Sequence, residues 1–346
     1  MEVINTNVQK RETYSVMLER SLVWEAVLGI AAATNESLLS TLEEPWESLC
    51  STFDEQLQEA LEHVKEYNTW KSLLQITHAS QSGNLADWER YVQSLSDIEL
   101  KEKCLPYIDS HSEEKVKEVA KGSEEALRTV TDLVVDHPFY PSYIRYIAQV
   151  NTELLKEHLI NVMKCWWQHV IEPDKSRLTQ ILERDYQTKC KEKEKMHPET
   201  FVEWATLGRD YKPEPSVHHV LLIPHVAYRP WNVEADLPDT KVIYYPVSEE
   251  SMDPDKKDEP KELLLRPLKV LGDATRLKML RKMATQSKSL KELTEEMQMG
   301  KTTIHHHLKL MKAARVVYQE EGSYSINRQV LDKMHAELFE FLNLEN

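Results

Sequence analysis

Apolar residues recur every three to four positions along most of the chain, and every second position or continuously in only a few short places. Val16, Met17, Leu22, Val23, Ala26, Val27 and Ile30 give residues 13–33 a helical stripe, and segments 35–50 and 53–79 continue in the same style. Asn84 opens a further helix, with Leu85, Trp88, Tyr91, Val92 and Leu95 on its apolar face. Residues 113–135 read as one long charged amphipathic helix with Val116, Val119, Ala120, Leu127, Val130 and Val134 inward, broken by Asp136-His-Pro-Phe-Tyr-Pro141. Residues 143–170 predict a strongly apolar helix ending in Cys165-Trp166-Trp167, whose tryptophans belong in a core, and 178–195 an amphipathic helix with a solvated lysine-rich tail.

Strand patterns are sparse. Val3, Ile4 and Val8 allow residues 1–10 to be either a short strand or disordered. The β-branched and aromatic runs 217–223 and 242–247, separated by a segment containing Pro224, Pro230 and Pro238, predict a small antiparallel pair or an edge appended to helices. The polar, proline-punctuated stretch 248–262 reads as an interdomain connection. The expected organisation is therefore mainly α: a large, mostly helical domain 1–250 with a small β element, a linker 251–262, and a smaller domain 263–346.

That smaller domain has the most specific pattern. Residues 263–271 form an apolar helix with Pro267 near its start, and Asp273 caps the next, in which Leu277, Leu280 and Met283 should point inward. Ser289 and Glu292 form a capping box for a helix over 290–297, and Met299-Gly300 turns the chain into a second one ending near Ala314. In that second helix Ile304, Leu308 and Met311 share the inner face, leaving Thr302, Thr303, His305, His306, Lys309 and Lys312 elsewhere. Alternating residues on either side of Glu320-Glu321-Gly322 predict a hairpin, and 329–342 a closing amphipathic helix. Two short helices across a tight turn, followed by a hairpin, are a winged helix-turn-helix, whose second helix is shaped to enter a DNA major groove.

Charge sharpens this picture. The chain of 346 residues has a formal net charge of −15, which alone disfavours a polyanionic partner. Residues 263–346 nevertheless hold 14 Lys and Arg against 10 Asp and Glu (+4), leaving 29 against 48 (−19) for residues 1–262. Within 266–315 the balance is 12 basic to 4 acidic, a basic island on an acidic chain.

Other chemistry is missing from the pattern. A hydrophobic content of 41% supports more than one core, and the four cysteines (Cys50, Cys104, Cys165, Cys190) form no C-x-x-C pair. No apolar run precedes Val16 and no window reaches eighteen apolar residues, so a soluble cytoplasmic protein without signal peptide or membrane span is expected. Only Gly29, Gly83, Gly122 and Gly208 precede residue 263, too few for a phosphate-cradling loop. Gly300-Lys301-Thr302 imitates the end of a P-loop, but Glu295 stands where the first glycine is required. His218, His219 and His225 lie in an alternating run that should point them to different faces, so neither metal, cofactor nor catalytic residue is expected.

The run LKVLGDATRLKMLRKMA followed by SLKELTEEMQMGKTTIHHHLKLMKAARVV closely resembles the DNA-binding domain of the ArsR family of bacterial transcriptional regulators. Asp273, Thr275, Arg276, Leu277, Glu292, Leu293, Thr303, His306, His307, Leu308 and Lys309 match the family pattern in order. Residues 1–250 look like the helical domain that precedes such a module in some ArsR-like regulators. The resemblance implies a homodimer on a palindromic double-stranded operator, read by Lys301, Thr302, Thr303, His305, His306 and Lys309. Lys291, Lys312 and Arg315 would meet phosphates, and His307 would be half-buried and structural. Leu331, Met334, Leu338 and Phe341 form either a dimerisation seam or packing within the domain; the resemblance favours the seam. The metal-sensing members' cysteine pair is missing from 289–297, and the last helix offers only Asp332 and His335, so metal sensing is not expected. The wing tip is acidic where a phosphate-gripping wing would be basic. An unknown small-molecule or protein effector would then act on the large domain. The competing readings are a winged-helix protein-interaction module that does not bind DNA, and an enzyme with a regulatory tail.

Overall fold

The computed structural model of the chain describes residues 13–36, 38–254, 260, 262–320, 322–342 and 344. The strand or disorder expected for residues 1–10, most of the linker centre and Glu321 of the wing tip lie outside them. The chain divides into two compact, mainly helical units, Met1–Ser251 and Met252–Asn346.

The first unit holds one four-stranded sheet: β1 (Ser15–Leu18), β2 (His219–His225), β3 (Val233–Leu237) and β4 (Thr240–Pro246), in the order β1-β2-β4-β3. The expected antiparallel pairing of the two β runs is corrected here. β2 pairs with β4 in parallel, from His219 opposite Thr240 to His225 opposite Pro246, and β3 lies on the far side of β4, antiparallel to it. A strand hidden between the two runs supplies the reversal: Asp239, at φ 57°, turns β3 directly into β4. From Val220 to His225 and from Val242 to Pro246 every residue is buried, the signature of parallel strands covered on both faces. Pro224 is tolerated in β2 because β1 has already ended, at Leu18 opposite Leu222.

β1 is a second correction, since residues 13–33 read as one helix. Tyr14 and Val16 point into the core while Met17 is exposed, a period of two. The helix begins only at Leu22, where the Ser21 hydroxyl accepts the Trp24 N–H at 3.2 Å.

The long helices of the first unit are also divided differently. The helix expected over 113–135 is two, Glu113–Ala120 and Glu124–Leu133, separated by Gly122 at φ 92° and re-capped by Ser123. Residues 143–170 are split at Val150-Asn151, where Asn151 caps Thr152–Trp166. Conversely, Thr152–Trp166 and Glu172–Lys193 run on through one wider turn, Trp167–Ile171. Pro173 has no N–H for the His169 carbonyl and its ring would collide with it, so the helix opens to an i→i+5 bond from Glu172 N–H to Trp167 O.

Helix Leu22–Ala33 is buried almost all round and packs through two special residues. A methyl group at Gly29 would stand 2.7 Å from the Trp166 ring, so glycine permits this approach. Glu25, 4% exposed, accepts the N–H groups of Val226 and Ala227 at 2.9 and 2.8 Å, tying the helix to the end of β2. Burial pushes its carboxyl up to about 7 in spite of those bonds.

In the second unit, Val270, Met279, Leu280, Met283, Leu293, Ile304, Leu308, Met311, Val316 and Tyr324 build one core. Leu277, expected inside, is 49% exposed, and Met279 takes the inward position. Helices Glu262–Leu271 and Arg328–Phe341 pack together. Strands β5 (Lys288–Ser289), β6 (Val317–Glu320) and β7 (Ser323–Ile326) form a sheet of order β5-β7-β6, in which β6 and β7 are the wing hairpin. Among the described residues no helix is long and apolar enough to cross a membrane.

Candidate nucleic-acid interface

Two capped helices position the face. The Ser289 hydroxyl accepts the Glu292 N–H at 3.2 Å and the Glu292 carboxylate accepts the Ser289 N–H at 2.7 Å, closing the box that starts helix Leu290–Met297. That helix ends at Gln298 in the left-handed conformation, φ 54°, whose N–H satisfies carbonyls of the last turn. The tight reversal is thus made at Gln298; Gly300, at φ −60°, begins the second helix, Lys301–Ala313.

In this second helix Ile304, Leu308 and Met311 are fully buried. Lys301, Thr302, Thr303, His305, His306 and Lys309 are all exposed on the remaining surface. At 1.5 Å rise per residue, the nine positions from Lys301 to Lys309 span roughly 12 Å, about the width of a major groove. The polar face has short hydroxyls at its start, two imidazoles in the middle and a lysine at each end. Threonine and histidine offer both donors and acceptors to base edges, and lysine offers donors and charge. Leu310 adds an exposed apolar group, at 37%.

His307 is half-buried, and its enclosed Nδ1 meets no hydrogen-bond partner among the described residues. Of the three residues assigned to phosphate, only Lys291 is exposed. Lys312 is half-buried with its ammonium on the Gln319 side chain of the wing at 3.1 Å, and Arg315 is half-buried at a left-handed backbone position, φ 58°. The rest of the basic island divides in the same manner. Lys288 and Lys282 reach Glu296 at 2.7 and 3.5 Å, whereas Lys278 and Arg281 are exposed.

Arg276 has a role that sequence reasoning missed. The Asp273 carboxylate accepts its backbone N–H at 2.9 Å, and its guanidinium donates to the Val270 and Lys269 carbonyls at 2.7 and 3.0 Å. Those carbonyls end helix Glu262–Leu271, so one D-x-x-R segment caps two helices. The signal was an arginine three residues after an N-cap, but which carbonyls it meets depends on how the two helices cross.

Along the last helix Leu331, Met334 and Leu338 are half-buried and Phe341 is 39% exposed. Leu331 packs against the core of its own domain. Gly322, at φ 79°, leads the wing into β7. Among the described residues no group of three or more His, Cys, Asp or Glu side chains is placed to hold a metal ion.

Residues 273–319 match the family model described as bacterial regulatory protein, arsR family. The match runs from the Asp273 cap to the first wing strand and takes in the whole helix-turn-helix. The chain therefore carries a C-terminal winged helix-turn-helix domain of arsR type, a DNA-binding domain of regulatory proteins. No curated protein and no solved structure is similar to the chain at a significant level.

Proposed function

We propose, taking the arsR-type winged helix as premise, that this protein is a transcriptional regulator that binds a palindromic operator as a homodimer and answers to an effector at its acidic helical domain. The observation that carries the reading is the segregation on Lys301–Ala313: three fully buried apolar anchors on one side, six exposed polar and basic groups on the other. The anchors fix the helix against its domain, and the polar side is left for base edges. Thr302, Thr303, His305 and His306 serve as readers, while Lys301, Lys309 and Lys291 supply charge for bases or phosphates. Lys312 and Arg315 contribute less, because the first is engaged with the wing and the second is partly enclosed. The partly exposed apolar stripe ending in Phe341 is the dimerisation seam of this reading. The matched segment supplies none of the family's metal-sensing cysteines, so the effector is assigned to residues 1–251.

The test is a salt-controlled shift assay on operator fragments selected from random DNA by the full-length protein. Thr303→Ala with His306→Ala abolishes specific binding, a loss of at least about tenfold, while sedimentation shows an unchanged dimer. Unchanged operator affinity in the double variant would falsify the assignment.

A further inference from the structure

Leu310 is a large apolar side chain on the otherwise polar, exposed side of helix Lys301–Ala313. It is 37% exposed and belongs neither to the core that takes in Ile304, Leu308 and Met311 nor to the partly buried residues packed against that core. Single exposed leucines are ordinary on a protein surface. The position of this one sets it apart. Leu310 follows His306 by four residues and Thr303 by seven, a spacing that lines the three up along one side of an α-helix. At 3.6 residues per turn, Thr303 and His306 lie within about 40° of Leu310 around the axis, whereas the three buried anchors lie roughly 100–160° away. The rise from His306 to Leu310 is roughly 6 Å. A long helical side chain leans toward the N-terminal end of its helix, which carries Leu310 toward His306 and away from the trailing end.

An aliphatic group can neither donate nor accept a hydrogen bond. Set against the polar edge of a base, it would strip water from a donor or acceptor and give nothing in return. Thymine is the base of unmodified DNA that presents an apolar group in the major groove, its C5-methyl. A leucine and a methyl group that are both in water before binding gain by covering each other.

We infer that Leu310 is a specificity-determining residue that contacts the C5-methyl of a thymine in each operator half-site, beside the base pairs met by Thr303 and His306. The inference rests on the DNA-reading function proposed above and adds to it the identity of one base.

The experiment is a salt-controlled shift assay with the full-length protein and the operator it selects from random, unmethylated DNA. Each thymine of a half-site is replaced in turn by deoxyuridine, which lacks only the methyl group. Wild type should lose about fourfold in affinity at one thymine, the effect of one methyl group no longer buried. Leu310→Ala should bind the thymine and deoxyuridine forms of that position equally. A leucine that only supported the fold would make Leu310→Ala weaken both forms by the same factor and keep the discrimination, and that result overturns the inference. Wild-type binding indifferent to every deoxyuridine also overturns it, as does a gain on replacing a cytosine by 5-methylcytosine with no loss at any thymine. The two ideas are told apart by the operator itself: selection of no operator removes the regulatory reading and Leu310 with it, whereas specific binding without methyl dependence removes only the role of Leu310.

Discussion

At the scale of single residues, neighbouring positions of the recognition helix do opposite jobs. Ile304 and Leu308 are fully buried in the small core of the second unit, so either one replaced by alanine costs about 2–5 kcal/mol in lost burial and residual cavity. Thr303 and His306 are exposed and their replacement changes stability by less than about 0.5 kcal/mol. Ser289→Ala lies between, at about 1 kcal/mol for the lost cap. Amide exchange across 290–313 measures all of these, and an exchange pattern in which Thr303→Ala matches Ile304→Ala would contradict the division. In the first unit Gly29→Ala drives a methyl group into the Trp166 ring and costs about 1–3 kcal/mol. All eight tryptophans lie in the first unit, so a urea titration followed by their fluorescence detects that loss directly.

At the scale of elements, legibility depended on whether the deciding contact was local. The capping box at Ser289, the caps at Asn84 and Asp273, and the inward triplet Ile304, Leu308 and Met311 involve residues three to seven apart, and a sequence displays such spacings directly. The break at Gly122-Ser123 is local too, but the apolar positions Val116, Val119, Ala120, Leu127, Val130 and Val134 keep helical spacing across it, so residues 113–135 read as one helix where the structure has two. The parallel pairing of β2 with β4 is not legible in that way. Their continuous burial comes from covering both faces, and β3 does show a strand's alternation, Val233, Ala235 and Leu237 against Glu234 and Asp236, but in a run of only five residues set between Pro230 and Pro238.

pH dependence at this scale follows from buried side chains between elements. His78 and His158 are held near 3 instead of their ordinary 6.5, chiefly by burial, so they stay neutral when folded and gain protons only on unfolding. Their contribution is complete above about pH 6.5 and is lost as the pH falls toward 3. Glu25, raised from 4.5 to about 7, acts with the opposite sign, stabilising below about 4.5 and losing its effect as the pH rises through 7. Two imidazoles outweigh one carboxyl, so the urea midpoint of the first unit should be lower at pH 5 than at pH 7.5. His158→Gln, which can retain the bond to the Thr69 hydroxyl, should flatten that dependence. A midpoint that rises on acidification would count against both assignments.

At the scale of the whole molecule, the uneven charge sets the terms on which an operator is met. The acidic first unit repels phosphate, so attraction must come from the few exposed cations of the second. Lys301→Gln and Lys309→Gln should each reduce the slope of log affinity against log salt by about one, whereas Lys312→Gln, engaged with Gln319, should change it by less. Equal slopes for all three variants would show that the wing contact does not withhold Lys312 from DNA.

Spacing along the sequence by itself determined the winged helix: the caps, the turn, the buried triplet and the polar face all arise within a few residues of one another, where backbone geometry alone fixes neighbours. It also determined the charge asymmetry, which needs only counting. Tertiary structure decided what depends on distant residues meeting: Glu25 on the end of β2, His78 on the Tyr244 hydroxyl of β4, and Gln75, His78 and Leu237 lining one cleft. None of those pairings leaves a periodic trace, because each is specified by the packing of whole elements and not by the spacing of residues within one. The face expected to read DNA is therefore visible in residue spacing alone, while the contacts that hold the large unit together emerge only from how its packed elements meet.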